Sequence, residues 1–445
     1  MPVMLAFSFY PHTIHAMPEV QEKAHGAGTG DPAQTGGTLH LGELRRELLK
    51  SNPELQAARK RLEAALTRPA QESALPDPRF TGGWVSSGWP YPGAGLRSEP
   101  MANIGIQVAQ EIPFPGKRAL KGGVAMKQAE TEARLTRALQ LGLIAQLEGK
   151  FYDLRFVYEA QDIIREQQAL LQQLAKAAEA RYAVGKGMQQ DIIRANTEIA
   201  ILEHRVISFE QKKLSLSAQL NTLVDRMPDA DLGRPEPASP MPGLGPFEMF
   251  QKRLLEASPV LGAQRAVIDG RQLNLQSAQK AYYPDFDVMA GYYNQGILRP
   301  MWEFKIQVNI PLYFWKKQRY GLEEAGAVLA EAQRNYRAQV EALGSRLRER
   351  HAAAQTAQKL MDLYARQIVP QSELALESSL ASYETGGVDF LSVLSNLTMI
   401  LDYRMNYREQ AAEYWKALSG LEELAGSLME GPDAARQAPG GEVRQ

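Results

Sequence analysis

At 445 residues and a formal net charge of −1, the chain can bury a sizeable core but carries no electrostatic footprint for nucleic acid or an anionic surface. It has no cysteine, which excludes a disulfide scaffold, a thiolate metal site, a Cys nucleophile and a lipid anchored through Cys. No run of 18 or more apolar residues occurs, so no transmembrane helix is expected; a spanning β-barrel leaves a much weaker trace and stays possible.

In chain order, residues 1–38 read as a signal remnant and disordered tail. Met1 to Tyr10 is a short apolar run, and Thr13-Ile14-His15-Ala16 suits cleavage after Ala16, although the first Lys is Lys23 and a basic n-region is missing. Gly26-Ala27-Gly28-Thr29-Gly30 has no strand before it and no helix after it, so it reads as linker, not as a phosphate loop.

A first unit, 39–226, then runs helix (41–74), two strands (79–88 and 103–112), a very long helix (117–183), a Gly turn at Gly185-Lys186-Gly187, and a return helix (188–225). Residues 227–246 carry six prolines and form a linker. A second unit, 247–426, repeats the order: helix (247–282), strands (285–295 and 302–313), long helix (316–384), a turn at Gly386-Gly387, and a return helix (388–426). Residues 427–445 read as a disordered tail.

The two units are copies. Ser51-Asn52-Pro53-Glu54-Leu55 returns as Ala257-Ser258-Pro259-Val260-Leu261, Pro76-Asp77 as Pro284-Asp285, Ile112-Pro113 as Ile310-Pro311, and Arg181-Tyr182-Ala183-Val184-Gly185 as Ser382-Tyr383-Glu384-Thr385-Gly386. The offset is too long for a solenoid, whose repeats run about 20–50 residues.

The long helices present apolar residues at spacings of three and four, as in Leu139, Leu143, Leu147, Phe151, Leu154 and Tyr158, which suits coiled-coil packing. A helix of this length is a rod of roughly 100 Å. The strands alternate: Trp302, Phe304, Ile306, Val308 and Ile310 share one face, and Glu303, Lys305, Gln307 and Asn309 share the other. Trp84, Trp89, Tyr282, Tyr283, Tyr292, Tyr293 and Trp302 lie in or beside the strands, as an interfacial girdle would.

Alternation alone leaves two readings open: a soluble four-stranded sheet packed on the helices of a coiled-coil interaction protein, or a segment of a membrane barrel. Four strands cannot close a barrel in lipid, where open edges are forbidden. Three chains would supply twelve, so the membrane reading carries a homotrimer with it.

No residues suggest chemistry. The six His residues (12, 15, 25, 40, 204 and 351) form no ligand-spaced pair, and no nucleophile–base pair or Gly-rich loop is present. Neither an enzyme nor a cofactor or metal site is expected.

The chain resembles the TolC family of outer-membrane efflux channels. The resemblance spans about residues 40 to 426. It is carried by Asn52-Pro53-Glu54-Leu55, Leu75-Pro76-Asp77-Pro78, Gln110-Glu111-Ile112-Pro113-Phe114-Pro115-Gly116-Lys117-Arg118, and the Tyr-x-x-Gly turns at Tyr182 and Tyr383. The strand-to-helix junction, with Pro113, Gly116 and Pro311, is most similar to the heavy-metal branch of CusC and CzcC.

The resemblance implies a mainly α fold with a small β portion: a homotrimeric twelve-stranded β-barrel in the outer membrane of a Gram-negative bacterium, continued by an α-helical coiled-coil tunnel in the periplasm. It implies a passive exit duct for a tripartite efflux system, fed by an inner-membrane pump of RND type through a periplasmic adaptor, with metal ions or small toxic compounds as cargo; a type I secretion channel is the alternative. It further implies a gate at the hairpin tip, where Tyr383 pairs with Asp191. Two family Asp positions are Ser392 and Ser395 here, an expected Arg is Val388, and Asp389 stands near the axis or caps a helix.

Overall fold

The computed structural model describes residues 37–87, 91–237 and 240–426. The expectations for 1–36, Trp89 and 427–445 lie outside the described residues.

Each unit opens with a broken helix. α1 (Leu41–Ser51) stops at Asn52 and α2 (Pro53–Ser73) starts with proline at its first position, where the missing N–H costs nothing. Asn52 Oδ1 accepts from Leu55 N at 2.9 Å, and its amide donates to Leu223 O at 2.9 Å. One side chain therefore caps the helix and ties it to the end of the return helix. The second unit repeats the break at Ser258, between α5 (Phe247–Ala257) and α6 (Pro259–Lys280). The sequence pattern alone predicts unbroken helices through both sites, over 41–74 and 247–282.

The two longest pieces are α3 (Lys117–Ala183, 67 residues) and its counterpart, α7 (Lys317–Leu363) continued by α8 (Val369–Thr385). A π-turn at Tyr364–Ile368 separates α7 from α8. Pro370 explains it: proline donates no hydrogen bond and its ring crowds the carbonyl four residues back, so the helix widens just before it. The return helices are α4 (Gln189–Leu223) and α9 (Phe390–Ala425).

Among the described residues, three apolar clusters hold these helices. One joins α1, α3 and α4 through Leu44, Leu48, Leu147, Phe151, Leu154 and Leu220. Another joins α5, α7 and α9 through Phe250, Leu343, Leu347, Tyr414 and Leu421. The third, near the hairpin turns, joins α3, α4, α8 and α9 through Ile164, Leu171, Leu202, Leu376, Phe390 and Leu397. Each fully buried Leu or Phe contributes about 1.5–3 kcal/mol.

β1 (Thr38–Leu39) pairs in parallel with β4 (Arg234–Pro235), the first at the boundary of the expected tail and first unit, the second inside the expected linker. A two-residue ladder leaves no periodicity to read.

The remaining strands, β2 (Arg79–Val85), β3 (Asn103–Ile112), β5 (Asp285–Asn294) and β6 (Met301–Asn309), form one antiparallel sheet in the order β2-β3-β5-β6. β6 ends before the expected 313, because Pro311 cannot donate to a ladder and the chain turns over residues 312–316. Among the described residues no helix packs extensively across the sheet, and the three clusters contain none of its residues.

Candidate functional site: sheet, junction and hairpin tip

The sheet has two unlike faces. Outward point Phe80, Trp84, Ile104, Ile106, Val288, Trp302, Phe304, Ile306 and Val308, all exposed, with Phe304 at 78% and Phe80 at 77%. The opposite face is polar. Arg79 pairs with Asp287 at 3.0 Å, Tyr293 Oη donates to Glu303 at 2.9 Å, and Glu303 also pairs with Lys305.

Tyr293 therefore leaves the expected girdle: its ring lies over Gly105, where a Cβ would come within 2.2 Å of Tyr293 Cδ1. Tyr292 and Trp302 stay on the apolar face as an edge-to-face cross-strand pair at 5.0 Å. A second aromatic group, Tyr313, Phe314 and Trp315, is exposed at the other end of β6. These three stand outside the girdle expected from the sequence.

The hairpins are related by the duplication. Pro284-Asp285 lies 208 residues after Pro76-Asp77, and Pro311 lies 198 after Pro113. Carrying both offsets onto the observed pair Arg79↔Ala109 gives Asp287↔Gln307, which is the pairing found.

At the junction, Gly116 adopts φ 92°, a left-handed conformation open to glycine, and starts α3. Pro115 and Gly116 are the central residues of a turn closed by Lys117 N to Phe114 O at 3.1 Å, and the fixed φ of proline suits the first of these two positions. The turn is clamped by the other unit: Asp285 Oδ1 accepts from Phe114 N at 2.7 Å and from Lys117 Nζ at 2.8 Å. Phe114 stacks on Tyr283 at 4.5 Å, and Lys117 Nζ also reaches Tyr283 O at 2.9 Å. Pro311, by contrast, leads into a longer turn, with Lys316 N and Lys317 N both bonded to Tyr313 O at 3.0 Å.

The Tyr-x-x-Gly motif is a helix stop. In the first turn Gly185 N bonds Tyr182 O at 2.9 Å and Lys186 N bonds Arg181 O at 2.9 Å; in the second, Gly386 N bonds Tyr383 O at 3.1 Å and Gly387 N bonds Ser382 O at 2.7 Å. These are the paired bonds of a Schellman cap, with a left-handed glycine at Gly185 and Gly386.

The two tyrosines then part company. Tyr182 is 48% exposed, whereas Tyr383 is 6% exposed against Phe390. Arg181 of the first hairpin lies over the Tyr383 ring, with its guanidinium carbon 4.5 Å from the centroid, and donates to Tyr383 O. Among the described residues no hydrogen bond joins Tyr383 Oη to Asp191, which stands in the first turn of α4. Burial pushes the Tyr383 hydroxyl pKa up, opposed by Arg181 and helped by Asp191.

Asp389 is the N-cap of α9. Its Oδ1 accepts from Ser392 N at 3.1 Å and from the Ser392 hydroxyl, which holds its carboxyl below the usual carboxylate range. Ser392 is thus engaged locally, and Ser395 is half-buried on the next turn. His204 is exposed, and His351 packs on Phe247 and Phe250.

A family model described as outer membrane efflux protein matches residues 44–225 and 251–427. The chain belongs to the outer membrane efflux protein family. Members of this family are channels, not enzymes. Cobalt-zinc-cadmium resistance protein CzcC of Cupriavidus metallidurans is 23% identical over 328 residues, 71% of this chain and 75% of that protein. The outer membrane protein VceC of Vibrio cholerae shares the fold with a TM-score of 0.75 at 18% identity, covering 87% of this chain and 96% of that one. CusC does so with a TM-score of 0.74 at 15% identity, covering 87% and 92%. This member of the family thus has the barrel-and-tunnel fold of outer-membrane channels, mostly helical with a small sheet portion.

Proposed function

We propose that three copies of the chain close a twelve-stranded barrel in the outer membrane of a Gram-negative bacterium and continue it as a helical tunnel through the periplasm. The assembly is a passive exit duct. An inner-membrane pump of RND type hands cargo to it through a periplasmic adaptor, and the chain performs no chemistry.

One observation carries this reading: among the described residues, the four-stranded sheet has a bare apolar face, and its outer strands, β2 and β6, each have an unpaired edge. Water disfavours such a face and such edges. Lipid on the apolar face and another sheet at each edge satisfy both. A soluble sheet would have buried that face on the helices. The exposed aromatics at both ends of β6 suit two interfacial belts.

The units 39–226 and 247–426, joined by 227–246, are read as two copies of one module. At the tip, Tyr383, Asp191, Asp389, Ser392 and Ser395 are assigned to the gate, with Arg181 as the residue that holds Tyr383. The likeness to CzcC supports metal ions as cargo.

The test is reconstitution into planar bilayers, paired with metal sensitivity of a strain lacking the gene. Discrete conductance steps and increased sensitivity to cobalt, zinc or cadmium are expected. A protein that never conducts would overturn the duct, and unchanged metal tolerance would overturn the cargo.

A further inference from the structure

Within the chain, β3 and β5 are the seam between the two repeats, and they pair from Ile104↔Asn294 to Ile112↔Phe286. The duplication makes β6 the counterpart of β3 and β2 the counterpart of β5. A second copy placed by the same relation would set its β2 against the free edge of β6. Carrying the two offsets onto the β3–β5 ladder fixes the pairing residue by residue. Resting on the trimer reading, we infer that the subunits join with Asn309 opposite Arg79 of a second copy, followed by Val308 opposite Phe80, Gln307 opposite Thr81, Ile306 opposite Gly82, Lys305 opposite Gly83 and Phe304 opposite Trp84.

Three observations independent of the arithmetic favour this register. It matches faces: the apolar Val308, Ile306 and Phe304 meet Phe80, Gly82 and Trp84, while Asn309, Gln307 and Lys305 meet residues of the polar face. A shift by one residue would put every side chain on the wrong side.

It also matches shapes. Gly82 and Gly83 have nothing within 4 Å of where a Cβ would be, and they fall opposite Ile306 and Lys305, whose side chains need room.

Finally, it matches charges at the junction. Asp285 clamps Lys117 within the chain; its counterpart is Asp77, and Lys317 starts α7 as Lys117 starts α3. Among the described residues, the side chains of Asp77, Lys316 and Lys317 make no hydrogen bond or ion pair. An acid left over at one edge and two cations left over at the other complete the clamp between subunits.

The absence of native cysteine makes the register directly testable in the full-length protein, extracted from outer membranes and oxidised with copper phenanthroline. Two double variants are compared, Thr81→Cys with Gln307→Cys and Phe80→Cys with Val308→Cys, because adjacent antiparallel pairs alternate between wide and close and one of the two must be the close kind. Slipped controls are Thr81→Cys with Lys305→Cys and Thr81→Cys with Asn309→Cys. At least one in-register pair is expected to move most of the protein into a reducible covalent trimer band, with the slipped pairs several-fold less efficient. Preferential cross-linking of a slipped pair, or none by any pair in a complex that still has trimer mass, overturns the register and leaves the channel reading standing. A detergent complex with the mass of one chain overturns both.

Discussion

Arg181 lies across the ring of Tyr383, 4.5 Å from its centroid, and donates to the carbonyl of the same residue. The carbonyl it reaches also caps the second hairpin, so one cation of the first repeat grips the turn of the second. The Tyr383 hydroxyl takes no part in this grip, and neither does Asp191.

A definite ranking of tip variants is expected. A partly buried cation–π contact contributes about 0.5–2 kcal/mol. Arg181→Ala, removing about 1 kcal/mol, should raise the open-to-closed ratio roughly fivefold. Tyr383→Phe keeps the ring and should stay within about twofold. Single-channel recordings decide: if Asp191→Ala opens the tip and Arg181→Ala does not, the clasp has been misassigned.

Asp285 is the second lever. It holds Phe114 N and Lys117 Nζ, both part-buried, and hydrogen bonds to charged groups contribute about 1.5–3 kcal/mol. Asp285→Ala should lower the melting temperature of the detergent-solubilised protein by several degrees. Asp77→Ala should leave a separated single chain unaffected and weaken only the assembly, as read from its dissociation on dilution.

The two faces of β6 should respond in opposite ways to a positive charge. Ile306 is 73% exposed on the apolar face, and Lys near a bilayer midplane costs about 2–4 kcal/mol. Ile306→Lys should reduce the outer-membrane fraction, whereas Gln307→Lys, one residue on, should insert normally and alter only ion selectivity. Equal tolerance of both would mean that the apolar face does not meet lipid.

His40 and Glu236 form a pH-dependent clip beside the β1–β4 pair, with Nδ1 2.8 Å from the carboxylate. That hydrogen bond raises the His40 pKa above its usual 6.5. A raised folded-state pKa gives stabilisation that is complete below about pH 6.5 and fades as pH rises through the folded value. The melting difference between the natural protein and His40→Ala should thus be largest near pH 6 and shrink as pH rises through the folded-state pKa. A difference that grows with pH would remove the clip.

Much of this was legible in the sequence because it is periodic or repeated. Alternation assigned the faces of β6, helical spacing picked out Leu147, Phe151 and Leu154, and the repeated Pro-Asp and Ile-Pro pairs marked the two hairpins as copies. What escaped was local or singular. The breaks at Asn52 and Ser258 are decided by one proline each inside otherwise helical patterns. Tyr293 turned inward because Gly105 opposite it leaves a space, which no single-strand pattern reports. Arg181 was hidden for a different reason: the repeat offers Ser382 at the matching position, so its role breaks the symmetry that made the rest readable.

The most direct test of a three-chain outer-membrane duct is the mass of the complex extracted from the outer-membrane fraction in mild detergent, measured by sedimentation equilibrium with the bound detergent density-matched. Three copies of the chain per particle are predicted. A soluble monomer or dimer, recovered without detergent, would contradict the barrel and the duct together.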